Sequence, residues 1–224
     1  MIPKIILPAA LGLTLAGTSA AVTLMQVDDF SGGVAGWQEG GPSPNPPVTF
    51  DTGLSGGAYL SNSASGQGGP GGRMAMWNQS QWAGDFIGQG VGGIGFDALS
   101  TGTDPVDLRI GFNGPGGWFT TPSIRIDDFA AGPDLTTFFL PIGETDLFHV
   151  TGGTGSYADT MGSVSRMEIY SAVADPAGAG ALIRGDVIDA TLLLDNITAL
   201  PIPEPGTGAL LVLAAASLLG RRRR

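Results

Sequence analysis

Glycine fills 38 of the 224 positions and proline another 16. Both are poor helix formers, so a chain this rich in them cannot sustain long helices. The glycines follow no three-residue period, which excludes a collagen triple helix. A hydrophobic share of 42% is too high for wholesale disorder. Short apolar runs punctuated by Gly, Pro, Asn and Asp begin at Leu24, the pattern of strands and turns.

Two segments alternate cleanly. Asp107 to Asn113 sets Leu108, Ile110 and Phe112 on one face, and Ser165 to Tyr170 sets Met167 and Ile169 inward with Arg166 and Glu168 outward. Further strands are predicted at Leu24–Phe30, Val48–Phe50, Ala58–Ser61, Met74–Trp77, Ile94–Leu99, Ser123–Ile126, Thr136–Pro141 and Leu192–Thr198. Gly40–Pro47 and Ser61–Gly72 are predicted loops. About ten short strands make an all-β, jelly-roll-like antiparallel β-sandwich the expected fold. One domain is expected over 22–200, flanked by an N-terminal signal helix in 1–21 and a C-terminal hydrophobic helix in 201–224.

Charge and cysteine content exclude several functions. There is no cysteine, hence no disulfide, thiolate zinc site or cysteine nucleophile. Between 22 and 200 stand 19 Asp/Glu against five arginines and no lysine, a net charge of −14. Such a surface repels nucleic acid, whose binding needs several phosphate contacts from Lys or Arg. A phosphate-binding P-loop is absent too, because the only lysine is Lys4.

The termini carry address signals. Lys4, the apolar stretch Ile5–Leu15 and the small residues Ala16–Ala21 match a secretory signal peptide with cleavage after Ala20 or Ala21. At the other end, Pro203-Glu204-Pro205 precedes the apolar run Gly206–Gly220 and then Arg221, Arg222, Arg223 and Arg224. Fifteen helical residues span about 22 Å, a short transmembrane segment whose arginines favour the cytoplasmic side. This tripartite tail resembles the PEP-CTERM sorting signal of Gram-negative bacteria. The resemblance implies recognition by an exosortase, with cleavage near the Pro-Glu-Pro triplet, after transient anchoring in the cytoplasmic membrane. It also implies delivery to the cell surface or extracellular matrix of a host that makes exopolysaccharide and biofilm.

Within the domain, Asp28-Asp29-Phe30 and Gly36-Trp37 open the chain. Gly56-Gly57-Ala58-Tyr59-Leu60 follows, then Trp77 and Trp82 before Gly84-Asp85-Phe86, and Leu194-Asp195-Asn196-Ile197 closes it. This order is similar to laminin IV-type and galactose-binding-like jelly rolls, including carbohydrate-binding modules. The resemblance implies first and last strands side by side, joined by a structural calcium. Asp28, Asp29 and Asp195 are the candidate ligands, since hard cations take carboxylate oxygens. The alternative is that Asp28 caps a turn and Asp195 bonds to backbone.

Tryptophan supplies the other candidate site. Sugar rings pack their C–H faces on aromatic rings, and Trp77, Trp82 and Trp118 are the candidate platform, with Asn78, Gln79 and Gln81 as polar company. Trp37, beside the first strand, is expected in the core. Catalysis has thinner support: His149 is the only histidine, no Gly-x-Ser-x-Gly elbow is present, and no carboxylate pair stands out. The expected function is a non-enzymatic exported protein that binds extracellular polysaccharide. The alternatives are a structural or adhesive biofilm protein without a ligand pocket, or a glycoside hydrolase.

Overall fold

The structure is a computed structural model and describes residues 21–50, 57–126, 134–173 and 182–202. Both address signals, including Pro203–Pro205 and Arg221–Arg224, lie outside the described residues. Among the described residues no helix is long and apolar enough to cross a membrane.

Among the described residues, twelve strands form two antiparallel six-stranded sheets, a β-sandwich as the alternation requires. They are β1 (Val27–Asp28), β2 (Val48–Phe50), β3 (Tyr59–Ser65), β4 (Ala75–Asn78), β5 (Val91–Gly102) and β6 (Val106–Gly114). The rest are β7 (Gly117–Thr120), β8 (Ile124–Ile126), β9 (Thr136–Pro141), β10 (Phe148–Thr151), β11 (Arg166–Ser171) and β12 (Asp189–Pro201). The first sheet runs β2-β3-β12-β5-β9, with β1 also on β12; the second runs β10-β7-β6-β11-β4, with β8 also on β6. The first and last strands do lie side by side, Val27 opposite Thr198 and Asp28 opposite Ile197.

The sheets bury one contiguous core between them. Leu108, Ile110 and Phe112 of β6 and Met167 and Ile169 of β11 meet Leu192 and Leu194 of β12 and Phe96 of β5. Strand β12 contributes from both ends although its apolar alternation slips: Leu192 and Leu194 point inward, then Ile197 and Ala199. The slip is a β-bulge. Asn196 adopts φ +51°, and the register with β5 shifts between Asp195 and Thr198, so the extra residue resets which side chains face the core.

Three expectations need correction. Ser61–Ser65 is strand, not loop: β3 sits between β2 and β12, and its polar side chains find partners, such as Ser63 Oγ 2.8 Å from Thr191 Oγ1. Strand β7 was not expected, because glycine-rich turns border it. One short helix, α1 (Tyr157–Met161), is capped by Ser156, whose side chain accepts a hydrogen bond from the Asp159 amide.

The β6–β7 hairpin turns through Pro115-Gly116 and depends on Gly117, which holds φ +103°. A Cβ there would lie 2.2 Å from the Gly152 carbonyl oxygen and 2.6 Å from that of Thr151, both backbone atoms. Gly117→Ala is expected to destabilise the fold by about 2 kcal/mol or more. Gly32→Ala, with no heavy atom within 4 Å of its Cβ, should stay within about 0.5 kcal/mol of wild type. Urea denaturation midpoints of the two variants check this.

Candidate functional site

Strands β4 and β11 pair at the end of the second sheet, with Trp77 directly opposite Glu168. Met76, Met167 and Ile169 point into the core, so Ala75, Trp77, Arg166 and Glu168 take the opposite face. That face is the floor of a cleft of about 510 Å³. Its walls come from three separate loops: Glu39 and Gly40, the stretch from Gly69 to Arg73, and Ile183 and Arg184 from a 3₁₀ turn at Leu182–Arg184.

Arg166 is held between two rings. Its guanidinium carbon lies 5.0 Å from the Trp77 ring centroid and 4.6 Å from that of Trp118, a double cation–π contact. Trp118 reaches this position from β7, across Asn113 of β6. Gly111 beneath leaves room, since a Cβ there would lie 3.2 Å from the Tyr170 ring and 3.6 Å from Trp118. The cation is thereby fixed in place before any ligand arrives.

Glu168 is only 3% exposed. One carboxylate oxygen sits 3.6 Å from Arg166 Nη2, too far for a hydrogen bond, and that oxygen has no hydrogen-bond partner. Burial therefore outweighs the neighbouring cation and pushes the carboxyl up to about 8. Glu39 is buried as well; burial raises its pKa above the ordinary carboxylate range while a bond from the Ser43 hydroxyl opposes the shift, and its other oxygen is unpartnered. Deeper on the same sheet, the Tyr170 hydroxyl lies 2.6 Å from Thr120 Oγ1, and burial lifts that phenol to about 12.

Of the three candidate tryptophans, the structure brings Trp77 alone to the cleft, on its floor, as a partly open ring. Trp118 is 8% exposed and lies under Arg166, so it supports the cation and offers no open platform. Trp82 is fully buried, and its indole N–H donates to Asp28 Oδ2 at 2.7 Å. The expectation that Trp82 forms part of a ligand platform is corrected: its ring lies in the core. Trp37 is in the core as expected and donates to the same oxygen at 2.8 Å. Asn78 and Gln81 are also committed within the fold, both donating to the Ala35 carbonyl.

The aspartate candidates each have hydrogen-bond partners within the fold. Asp28 is a buried acceptor for two indoles. Asp29 caps a turn through Ser31, whose backbone N–H and hydroxyl bonds hold its carboxyl below the usual range. Asp195 accepts from the Asn196 amide at 2.7 Å; burial, then the charges of Asp97 and Asp29, raise it. Among the described residues no group of three or more His, Asp or Glu is placed to hold a metal ion. His149 is exposed on β10, its ring against Phe119 and its Nε2 3.0 Å from the Gly152 carbonyl oxygen, and it does not line the cleft.

Sequence reading placed Arg166 and Glu168 outward but gave no sign that outward meant a cleft. Glu39, Arg73 and Arg184 were missed altogether, because only the fold brings their loops together. The titration of Glu168 has a definite sign. Its folded-state value of about 8 exceeds the ordinary 4.5, so between these the folded chain binds more protons than the unfolded one. The stability this group contributes is full below about pH 4.5 and is lost as pH rises through 8. Glu168→Gln should remove a slope on the order of 1 kcal/mol per pH unit across that window. Melting curves of both proteins from pH 5 to pH 9, taken as a difference, measure it.

No family model and no curated protein matches the chain. Solved structures do match in fold. An exo-β-agarase aligns with a TM-score of 0.52 and 15% identity over 80% of this chain, which spans only 25% of the agarase chain. The family 11 carbohydrate-binding module of the cellulosomal cellulase Lic26A-Cel5E of Clostridium thermocellum aligns over 80% of this chain and 96% of its own, with a TM-score of 0.50 and 14% identity. The Clostridium thermocellum family 11 module in complex with a β-1,3-1,4-mixed-linked tetrasaccharide aligns over 80% and 97%, with a TM-score of 0.51 and 15% identity. The chain shares the β-sandwich fold of carbohydrate-binding modules.

Proposed function

We propose that this chain is an exported, non-catalytic polysaccharide-binding protein that acts at the cell surface or in the extracellular matrix. The observation that carries the reading is the cleft on β4 and β11, whose floor sets the Trp77 indole beside a fixed guanidinium and a buried carboxyl. Aromatic faces with a few placed polar groups are what a sugar ring needs. The fold supports it, since the carbohydrate-binding modules it resembles are matched over nearly their whole length.

Titration of the intact chain with mixed-linked β-1,3-1,4-glucan, agarose and acidic polysaccharides tests the reading. Saturable binding to at least one polymer is expected, and Trp77→Ala should weaken it about tenfold or more. Absence of binding to all of them would leave a structural or adhesive surface protein as the better account.

Export and sorting belong to the same proposal and rest on the two terminal signals. Exosortase would act near Pro203-Glu204-Pro205, after the apolar run and the arginines of the tail had held the chain in the cytoplasmic membrane. In an exosortase-bearing host, intact-mass analysis should find a mature chain lacking the arginine tail. Replacing Pro203, Glu204 and Pro205 together by alanine should leave the tail attached and the protein in the membrane fraction. Release of the triple variant at the wild-type level would refute the sorting assignment.

A further inference from the structure

The domain has five arginines against 19 acidic residues between 22 and 200, and three of the five, Arg73, Arg166 and Arg184, line the one cleft. The other two are committed elsewhere. Arg109 is buried and donates to the carbonyls of Ala172 and Thr121, and Arg125 pairs with Asp107 at 3.0 Å. Arg73 donates to the Gly185 carbonyl at 2.7 Å. Among the described residues neither Arg73 nor the exposed Arg184 forms an ion pair. Gly185, at φ +73°, packs so closely on the Met74 carbonyl that a Cβ would lie 2.2 Å from its oxygen, which brings Arg184 beside the start of β4.

We propose that the polymer held in this cleft carries acid groups, carboxylate or sulfate, on its sugar units, and that Arg73, Arg166 and Arg184 receive them. This deepens the polysaccharide-binding reading and rests on it. Neutral hydroxyls are served well by amides and hydroxyls, which the chain has in plenty. Three guanidinium groups gathered at one place in a domain of net charge −14 answer a different need. A guanidinium presents parallel N–H donors that match an oxyanion two at a time. Of the two carboxyl groups in the cleft, Glu168 opposes an anion weakly, because burial pushes it up to about 8, and burial shifts Glu39 in the same direction.

The negative remainder of the domain also gives the test its sign. Repulsion between that surface and a polyanion acts over distance and is screened within about 8 Å at physiological salt. If overall charge governed, added salt would strengthen binding; if the arginine contacts govern, added salt weakens it.

The experiment titrates the intact chain with alginate, carboxyl-reduced alginate, a sulfated carrageenan, agarose and mixed-linked glucan at low and high salt. An acid polymer is expected to bind about tenfold or more tighter than the neutral ones and to weaken with salt. The better of alginate and carrageenan identifies carboxylate or sulfate as the group read. Arg184→Ala, a change at an exposed side chain, should weaken acid-polymer binding about fivefold and make what remains less sensitive to salt. Neutral polymers bound as tightly as acid ones, or acid binding indifferent to Arg184→Ala and Arg73→Ala, overturns the inference while the polysaccharide-binding reading stands. Failure of every polymer to bind removes both.

Discussion

One buried carboxylate organises the cleft from a distance. Asp28 Oδ2 accepts the indole N–H of Trp37 at 2.8 Å and of Trp82 at 2.7 Å, so two large rings enter the core without leaving a donor unpaired. Removing such an acceptor would strand two buried N–H groups, each costing about 1–3 kcal/mol. Asp28 itself is fixed by the pairing of β1 on β12. The consequence reaches Trp77 through the chain. With Trp37 anchored, Gln38 exchanges both backbone hydrogen bonds with Trp77, at 3.0 and 2.8 Å. The next residues, Glu39 and Gly40, then form one cleft wall, and Gly40 lies so close to the Trp77 ring that a Cβ would sit 2.8 Å from it.

Of the three indoles that look like a ligand platform in the sequence, Trp82 and Trp118 have structural duties, and Trp77 owes its partly open position to strand parity. Trp82 lies in a turn that folds under the sheet, whereas Trp77 sits on an edge strand at a position whose parity opposes Met76. Parity is legible once the strand is recognised; the inward course of a turn is not. For the same reason the alternation over 107–113 and 165–170 located the core of β6 and β11 directly. It could not show that Ser61–Ser65, polar and next to a glycine run, would be an interior strand stabilised by neighbours far away in sequence. Nor could it show the phase slip at Asn196, which needs a left-handed residue to keep both ends of β12 in the core.

The cleft residues fall on the same divide. Arg166 and Glu168 sit two apart on one strand, and their shared outward direction could be read from the pattern. Their neighbours Glu39, Arg73 and Arg184 come from segments that only pairing in three dimensions assembles. Binding residues carried on loops over a rigid sheet leave little trace in local sequence, since nothing in their immediate neighbours requires them. The aspartates present a different case. In a chain this acidic, a pair at the first and last strands resembles a metal site by position alone, while the hydrogen bonds of Asp28 and Asp195 give each a local use.

Order in the cleft follows from how Arg166 is held. A free arginine side chain loses rotamer freedom when it binds, a cost of order 1–2 kcal/mol. Here that loss has already been met in the folding of the domain, because the guanidinium lies between Trp77 and Trp118. The same stacking explains the state of Glu168: with Arg166 drawn toward two ring faces, the carboxyl keeps only a 3.6 Å ion pair, and burial decides its protonation. Anchored tryptophans, a preorganised cation and a carboxyl pushed toward neutrality are thus successive results of one packing arrangement. The chain of cause runs from Asp28 through Trp37 and Gln38 to Trp77, and from Trp77 to the charge that the cleft presents to a ligand.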